Sequence, residues 1–370
     1  MGVEILLGVV ELEADEEALT LFRPASERRC HAAGKDIARP EPRKIAVVAV
    51  GVVDAAIETH GLRRVFKTRK QVVEAVAGVD LTVRTGEIFG FLGPNGAGKT
   101  TTLRMLATLL PPTGGKATVA GCDLLTQPDQ VRKRIGYVSQ AGGSDYEVVG
   151  RFELTFQGRL YGMTREAASK RAAELIEMLE LEVCADRTVK TYSGGQKRRL
   201  DIGLGLVHDP KLLFLDEPTT GLDPQSRARV WDEVRRMHDR GTTVFLTTHY
   251  LDEADALCDR IAIIDYGKIV AEGTPEELKR AVAGDVVTLT VAGSSQAALD
   301  SLTDQPYVRE ASIEDGSVRL YVDRGEVAMP AILRQLDAAG LQLLTIGLHR
   351  PSLDDVFLRQ TGRSLREVAA

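Results

Sequence analysis

The sequence predicts an α/β protein built on a parallel sheet, followed by a smaller α+β domain. Three observations carry this reading. From residue 56 to about 278, short apolar runs alternate with helical patterns, the order expected of strands joined by crossover helices. One of those runs, 88–92, leads directly into Gly93-Pro94-Asn95-Gly96-Ala97-Gly98-Lys99-Thr100, which opens a helical pattern. Beyond a boundary near Gly284 the pattern changes to β-α-β-β-α-β, the ferredoxin-like order.

Each element follows in turn. Residues 1–55 carry mixed charge, Arg28-Arg29-Cys30-His31 and a Pro40-Glu41-Pro42 break, with no sustained period, and read as an irregular N-terminal extension. Pattern returns at Ala55-Ala56-Ile57-Glu58, and 79–84 alternates as a strand. The runs 88–92, 212–215, 243–247 and 261–264 read as strands buried on both faces. A helix is expected over 102–110, and a helical insertion over about 141–200, clearest at 166–181. After Gly284 the expected elements are a strand at 286–291, a short helix at 296–302 and a hairpin over 308–322 turning at Asp315-Gly316. A helix at 329–339 and a strand at 341–348 complete a domain spanning 285–370.

The glycine-rich segment fits G-x-x-x-x-G-K-[ST], the loop that cradles phosphates. Glycines let successive backbone N–H groups converge on a polyanion, and the helix N-terminus behind them adds partial positive charge. Lys99 is expected at the β- and γ-phosphates, the Thr100 hydroxyl at Mg2+, and Thr101 beside them. The run 212–215 ends in Asp216-Glu217, placing two carboxylates at the strand end where open α/β sheets bind ligands. Asp216 is expected to hold Mg2+ and Glu217 to polarise an attacking water. Alone, a glycine-rich turn is often only a turn, and acidic residues often end strands. Together the two are specific.

Ser193-Gly194-Gly195-Gln196 precedes the Asp216 strand, on the approach to a helix. Other marks stand in order: Gln140 after Ile135-Gly136-Tyr137-Val138-Ser139, Gly221-Leu222-Asp223, and His249 after Val244-Phe245-Leu246-Thr247-Thr248. With the phosphate loop and Asp216-Glu217 this sequence resembles the ATP-binding cassette (ABC) ATPases over roughly residues 56–278. The resemblance implies a P-loop NTPase fold: a RecA-like core, an antiparallel β subdomain and a helical signature subdomain. It implies ATP and Mg2+ as cofactors, Gln140 as the Q-loop residue acting in catalysis and at the metal, Asp223 in the D-loop, His249 as the switch histidine and Phe66 as the adenine-stacking aromatic. It also implies two cassettes packed head to tail, each ATP lying between one phosphate loop and the Ser193-Gly194-Gly195-Gln196 segment of a second copy.

A finer resemblance, to the ATP-binding subunits of daunorubicin/doxorubicin-resistance-type exporters, rests on Thr191-Tyr192-Ser193-Gly194-Gly195 with Lys197-Arg198-Arg199. It rests also on Pro351-Ser352-Leu353-Asp354-Asp355-Val356-Phe357-Leu358 with Thr361-Gly362-Arg363. It implies an integral membrane permease on a separate chain and a peripheral position on the cytoplasmic face of the membrane. One segment departs: Val149-Gly150-Arg151-Phe152-Glu153-Leu154 stands where the subfamily shows Thr-Gly-x-Glu-Asn-Leu, near the permease contact. Phe152 either packs on a partner or joins the helical core.

Composition narrows the alternatives. Forty-seven basic against 53 acidic residues argue against nucleic acid as a partner. Cys30, Cys122, Cys184 and Cys258 have no metal-ligand spacing, so a reducing cytoplasm is expected. No stretch approaches the roughly 18 apolar residues of a spanning helix. A soluble cassette in DNA repair or translation would bring zinc cysteines, a second cassette or basic insertions; a non-hydrolysing regulator would lack Glu217 or His249. The tail is expected to fold apart from the cassette, with Leu353, Val356 and Phe357 either forming a docking edge or closing the tail's own core.

Overall fold

The computed structural model describes residues 54–67, 71–282, 284–314, 316–349 and 352–361. The expected N-terminal extension, apart from Asp54 and Ala55, lies outside them, as do Cys30, Asp315, Pro351, Gly362 and Arg363. The described chain opens with β1 (Ala55–Lys67), β2 (Val72–Arg84), β3 (Ile88–Leu92), α1 (Lys99–Leu106), β4 (Gly114–Val119), β5 (Cys122–Asp123), α2 (Pro128–Arg134) and β6 (Ile135–Val138). The helices α3 (Gly150–Leu160), α4 (Arg165–Met178) and α5 (Gly194–Leu206) come next. Then follow β7 (Leu212–Asp216), α6 (Pro224–Asp239), β8 (Thr243–Thr248), α7 (Leu251–Leu257), β9 (Arg260–Asp265), β10 (Lys268–Gly273) and α8 (Pro275–Val282). The last block is β11 (Asp285–Val291), α9 (Ser295–Leu302), β12 (Val308–Glu314), β13 (Ser317–Val322), α10 (Gly325–Ala338), β14 (Leu343–His349) and α11 (Leu353–Thr361).

A six-stranded sheet runs β10-β9-β3-β8-β7-β6, parallel throughout except for the antiparallel edge strand β10. The inner stretches of β3, β7, β8 and β9 are apolar because they serve two cores. Phe89, Phe91, Phe214, Phe245, Ala262 and Ile264 face a core shared with the antiparallel sheet β2-β1-β4-β5 and α1. Their neighbours Ile88, Leu92, Leu213, Leu215, Val244 and Leu246 face the other way, into a core shared with α4, α5 and α6. Period-two alternation is present, but both phases are hydrophobic. Phe89 and Phe91 both pack on Phe245, with ring centroids 5.8 and 5.6 Å apart.

The expected helix over 102–110 starts earlier and stops sooner, at Lys99 and Leu106; Thr108 takes a left-handed φ of 63° that ends it. The last block forms a sheet in the order β12-β13-β11-β14, all antiparallel, over α9 and α10, which is the ferredoxin-like arrangement. Its own core holds Val287, Leu289, Leu302, Leu320, Ile332 and Leu336. α10 begins at Gly325, before the expected 329, and carries Pro330 within it.

α11 departs from both sequence readings. Leu353, Val356 and Phe357 are buried, but in the cassette's core with Leu257 and Leu278, not in the terminal domain's. The helix lies against α8 and α7. The i, i+3, i+4 spacing marks an apolar face, and its partner is the cassette, so α11 is joined to the cassette while β11–β14 with α9 and α10 keep a core of their own. Asp355 is a local cap as well: its Oδ2 accepts from Ser352 N at 2.8 Å and Ser352 Oγ at 2.7 Å, while Asp355 N donates to Ser352 Oγ at 3.3 Å.

Candidate active site

Register sets the site before any side chain is considered. Leu92 pairs with Thr248, Asp216 with Thr247, and Val138 with Leu215. The loops leaving β3, β8, β7 and β6 therefore emerge side by side at one edge of the sheet.

The phosphate loop leaves β3 between backbone neighbours that tolerate no side chain. A Cβ at Gly93 would meet the Ile264 carbonyl oxygen at 2.3 Å, and Gly98 takes a φ of 106° as the residue preceding α1. Lys99, only 4% exposed, donates from Nζ to the carbonyls of Gly93 at 2.8 Å and Pro94 at 3.1 Å, and lies 3.2 Å from Glu217 Oε1. Burial pushes the Lys99 ammonium below the usual lysine range, against the pull of Glu217 and Asp216. Asn95, Gly96, Thr100, Thr101 and Gln140 join Lys99 and Glu217 around a cleft of about 350 Å3. Ala97 is buried behind it, its carbonyl accepting from Gly267 N at 2.9 Å.

Asp216 accepts two hydroxyls at one oxygen: Thr100 Oγ1 at 3.0 Å and Thr247 Oγ1 at 2.7 Å. A hydroxyl and a carboxylate side by side are hard oxygen donors of the kind Mg2+ takes when phosphate oxygens supply the rest. Glu217 is the point of convergence. Its Oε2 accepts from Gln140 Nε2 and Thr220 Oγ1, each at 3.1 Å, and stands 3.1 Å from His249 Nδ1. Burial alone would raise its pKa, but the neighbouring His249 and the Lys99 charge outweigh it and hold the carboxyl at about 2. The backbone of Glu217 has a φ of 44°, and its N–H donates to both the carbonyl and the hydroxyl of Thr247, at 3.1 and 3.0 Å.

The predicted residues thus separate into two groups. Lys99, Thr100, Asp216, Glu217, Gln140 and His249 come together from four loops. Ser193, Gly194, Gly195 and Gln196 stand elsewhere, at the N-terminus of α5, where Ser193 and Gly194 are exposed. Ser193 Oγ accepts from Gln196 N at 3.3 Å, and Gln196 Oε1 accepts from Ser193 N at 3.0 Å, a reciprocal cap. Asp223 caps α6 in the same way, accepting from Gln225 N and Ser226 N at 3.0 Å. The two caps adjoin, since a Cβ on Gly195 would reach Ser226 Oγ at 2.7 Å. Phe66, at the end of β1 and 37% exposed, does not line the Lys99 cleft; the Arg64 guanidinium covers one face of its ring at 4.7 Å. Thr247 is a site residue that the motifs do not include; its one signal is a hydroxyl directly after the apolar run Val244-Phe245-Leu246. Arg198, buried on α5, was quoted only as part of a motif.

A nucleotide-phosphate loop at a parallel sheet edge, with an exposed serine-capped Gly-Gly helix start in a separate helical layer, defines an ATP-binding cassette ATPase. Residues 76–220 match the ABC transporter family model, and residues 273–361 match the C-terminal domain of DrrA1-3-like ATP-binding proteins. The chain is 46% identical to the daunorubicin/doxorubicin resistance ATP-binding protein DrrA of Streptomyces peucetius, over 85% of this chain and 96% of that one. It is 37% identical to the linearmycin resistance ATP-binding protein LnrL of Bacillus subtilis, over 79% of this chain and 95% of that one. Among solved structures it is similar to the dimeric structure of a bacterial ABC transporter cassette, with a TM-score of 0.54 and 25% identity over 59% of this chain and 98% of that one. This chain belongs to the DrrA-like ATP-binding proteins of the ABC transporter family, and is the ATP-binding, ATP-hydrolysing subunit of an export system.

Proposed function

We propose that this chain hydrolyses MgATP in a site completed by Ser193, Gly194, Gly195 and Gln196 of a second copy, and that turnover drives export of a hydrophobic, drug-like compound through a separate permease at the cytoplasmic face of the membrane. The observation that carries this is the convergence of Lys99, Gln140 and His249 on Glu217 while the Ser193 cap stands exposed outside that cleft. Arriving phosphates compete with Glu217 for the Lys99 ammonium and release the carboxylate toward water. Glu217 then takes the proton of the attacking water, with Gln140 and His249 orienting the water and the γ-phosphate. Thr100 and Asp216, with Gln140 lining the same cleft, would hold Mg2+, which would supply charge to offset the negative charge developing on the phosphate. Asn95, Gly96, Gly98 and Thr101 supply loop and helix N–H donors, Asp223 borders the partner's cleft, and the uncovered face of Phe66 stacks adenine.

Two further observations support the partners. No described helix is long and apolar enough to cross a membrane. Phe152, 59% exposed, stacks on Phe156 at 6.0 Å along a groove of about 580 Å3. It does not join the helical core, and we assign it to the permease. The drug-like cargo is supported by the resistance proteins this chain is similar to. The test is Glu217→Gln: MgATP should still bind and drive stable dimers, with kcat lowered about 100-fold or more. Turnover near that of the unaltered chain, or a monomer at saturating MgATP, would overturn the reading.

A further inference from the structure

Arg198 lies one turn into α5 on its inner face and is 6% exposed. Its guanidinium spends its donors on backbone carbonyls from two separate loops. Nη1 donates to Ser139 O at 2.6 Å, Nε to Pro218 O at 2.8 Å, and Nη2 to Asp216 O at 3.1 Å. Ser139 immediately precedes Gln140, while Asp216 and Pro218 are the residues on either side of Glu217. One side chain therefore clamps Glu217 front and back and fixes the root of Gln140.

That clamp acts where the backbone needs it. The φ of 44° at Glu217 is a left-handed conformation that a residue with a side chain holds only when its surroundings enforce it. From inside the sheet Thr247 holds the Glu217 N–H. From the helical layer Arg198 holds the carbonyls around it. A planar fork can bond three acceptors at fixed angles, whereas an ammonium is a point donor on a flexible stem.

We propose that Arg198 is a positioning residue that ties the placement of Glu217 and Gln140 to the placement of α5, so that seating Ser193 on the partner's nucleotide also sets the carboxylate of this chain's own site. This inference rests on the paired-site reading above. α5 carries the exposed Ser193-Gly194 cap at its N-terminus and Arg198 one turn later, so a shift of the helix as a rigid rod moves both.

The neighbouring Arg199 provides a matched control. It is equally buried, at 4% exposure, but donates to Leu179 O at 2.7 Å and Glu180 O at 3.1 Å, within the helical layer. Full-length Arg198→Lys and Arg199→Lys should be compared for kcat and KM with MgATP, for melting temperature, and for MgATP-driven dimerisation with Glu217→Gln added. Arg198→Lys should lower kcat about tenfold or more with KM within about twofold and the dimer retained. Arg199→Lys should lower the melting temperature while kcat stays within about threefold. Arg198→Gln, which buries no mobile charge, should show the same split should Arg198→Lys fail to fold. Unchanged kcat in the Arg198 variants, or kcat and melting losses that match those of Arg199→Lys, would overturn the inference alone. Failure of the Glu217→Gln chain with Arg198 intact to dimerise on MgATP would overturn the paired-site reading, and this inference with it.

Discussion

Glu217 combines a left-handed φ of 44° with a carboxyl held at about 2, and both follow from its neighbours rather than from its own chemistry. The folded pKa lies below the ordinary 4.5, so the ionised form stabilises the fold above about pH 4.5, and that stabilisation is lost as pH falls toward 2. The melting temperature of the unaltered chain should accordingly fall more steeply between pH 4.5 and 2 than that of Glu217→Gln; parallel curves in a differential scanning series would remove this account. Thr247→Val is a second residue-scale prediction. It removes one of the two hydroxyls that buried Asp216 accepts, while the Glu217 N–H keeps the Thr247 carbonyl; the loss is about 1–2 kcal/mol and should lower kcat along with the melting temperature. Lys99, Asp216 and Glu217 were legible because their residue types stand at fixed spacing in one loop or one strand end. Thr247 and Arg198 were not assigned, because their partners are set by strand register and by a helix that folds back, which no local spacing encodes.

Among elements, the central strands were the most legible and α11 the least. A strand buried on both faces is a continuous apolar run, so 88–92 and 212–215 could be placed directly. β1 and β2 run for 13 residues each, far longer than their visible alternation, because register shifts near Leu62 and Val65 break the phase. For α11 the spacing marked an apolar face but could not say against what it lies. Phe357→Ala should destabilise the cassette itself by about 3–5 kcal/mol, read as a lower melting temperature with and without MgATP. Asp355→Ala should cost about 1 kcal/mol through its cap. A Phe357→Ala chain whose MgATP-stabilised melting was unchanged would show that α11 merely rests on the surface.

Across the whole molecule, the ferredoxin-like order of the last block was legible from its alternation and turns, whereas its attachment to the cassette was not. The groove beside Phe152 is a feature of the assembled layers, since its lining comes from the segment after α1, from α2, from β6 and the loop after it, and from α3 and α5. Phe152→Ala should leave basal ATPase within about twofold, because the side chain is exposed and does not line the cleft of Lys99 and Glu217, yet reduce co-purification of the permease from membranes. Unimpaired co-purification would place the permease contact elsewhere. The position of α11 also bears on how the protein is made. Leu353, Val356 and Phe357 complete a core whose members Leu257 and Leu278 leave the ribosome about 75 to 100 residues earlier, a delay of roughly 4–20 s at about 5–20 residues per second. During those seconds the nascent cassette shows an apolar face to whatever chaperone or protease is near, and a transcript broken within the terminal domain leaves that face open for good. α11 is thus a seal on synthesis: only chains translated through it hide the surface that quality control reads.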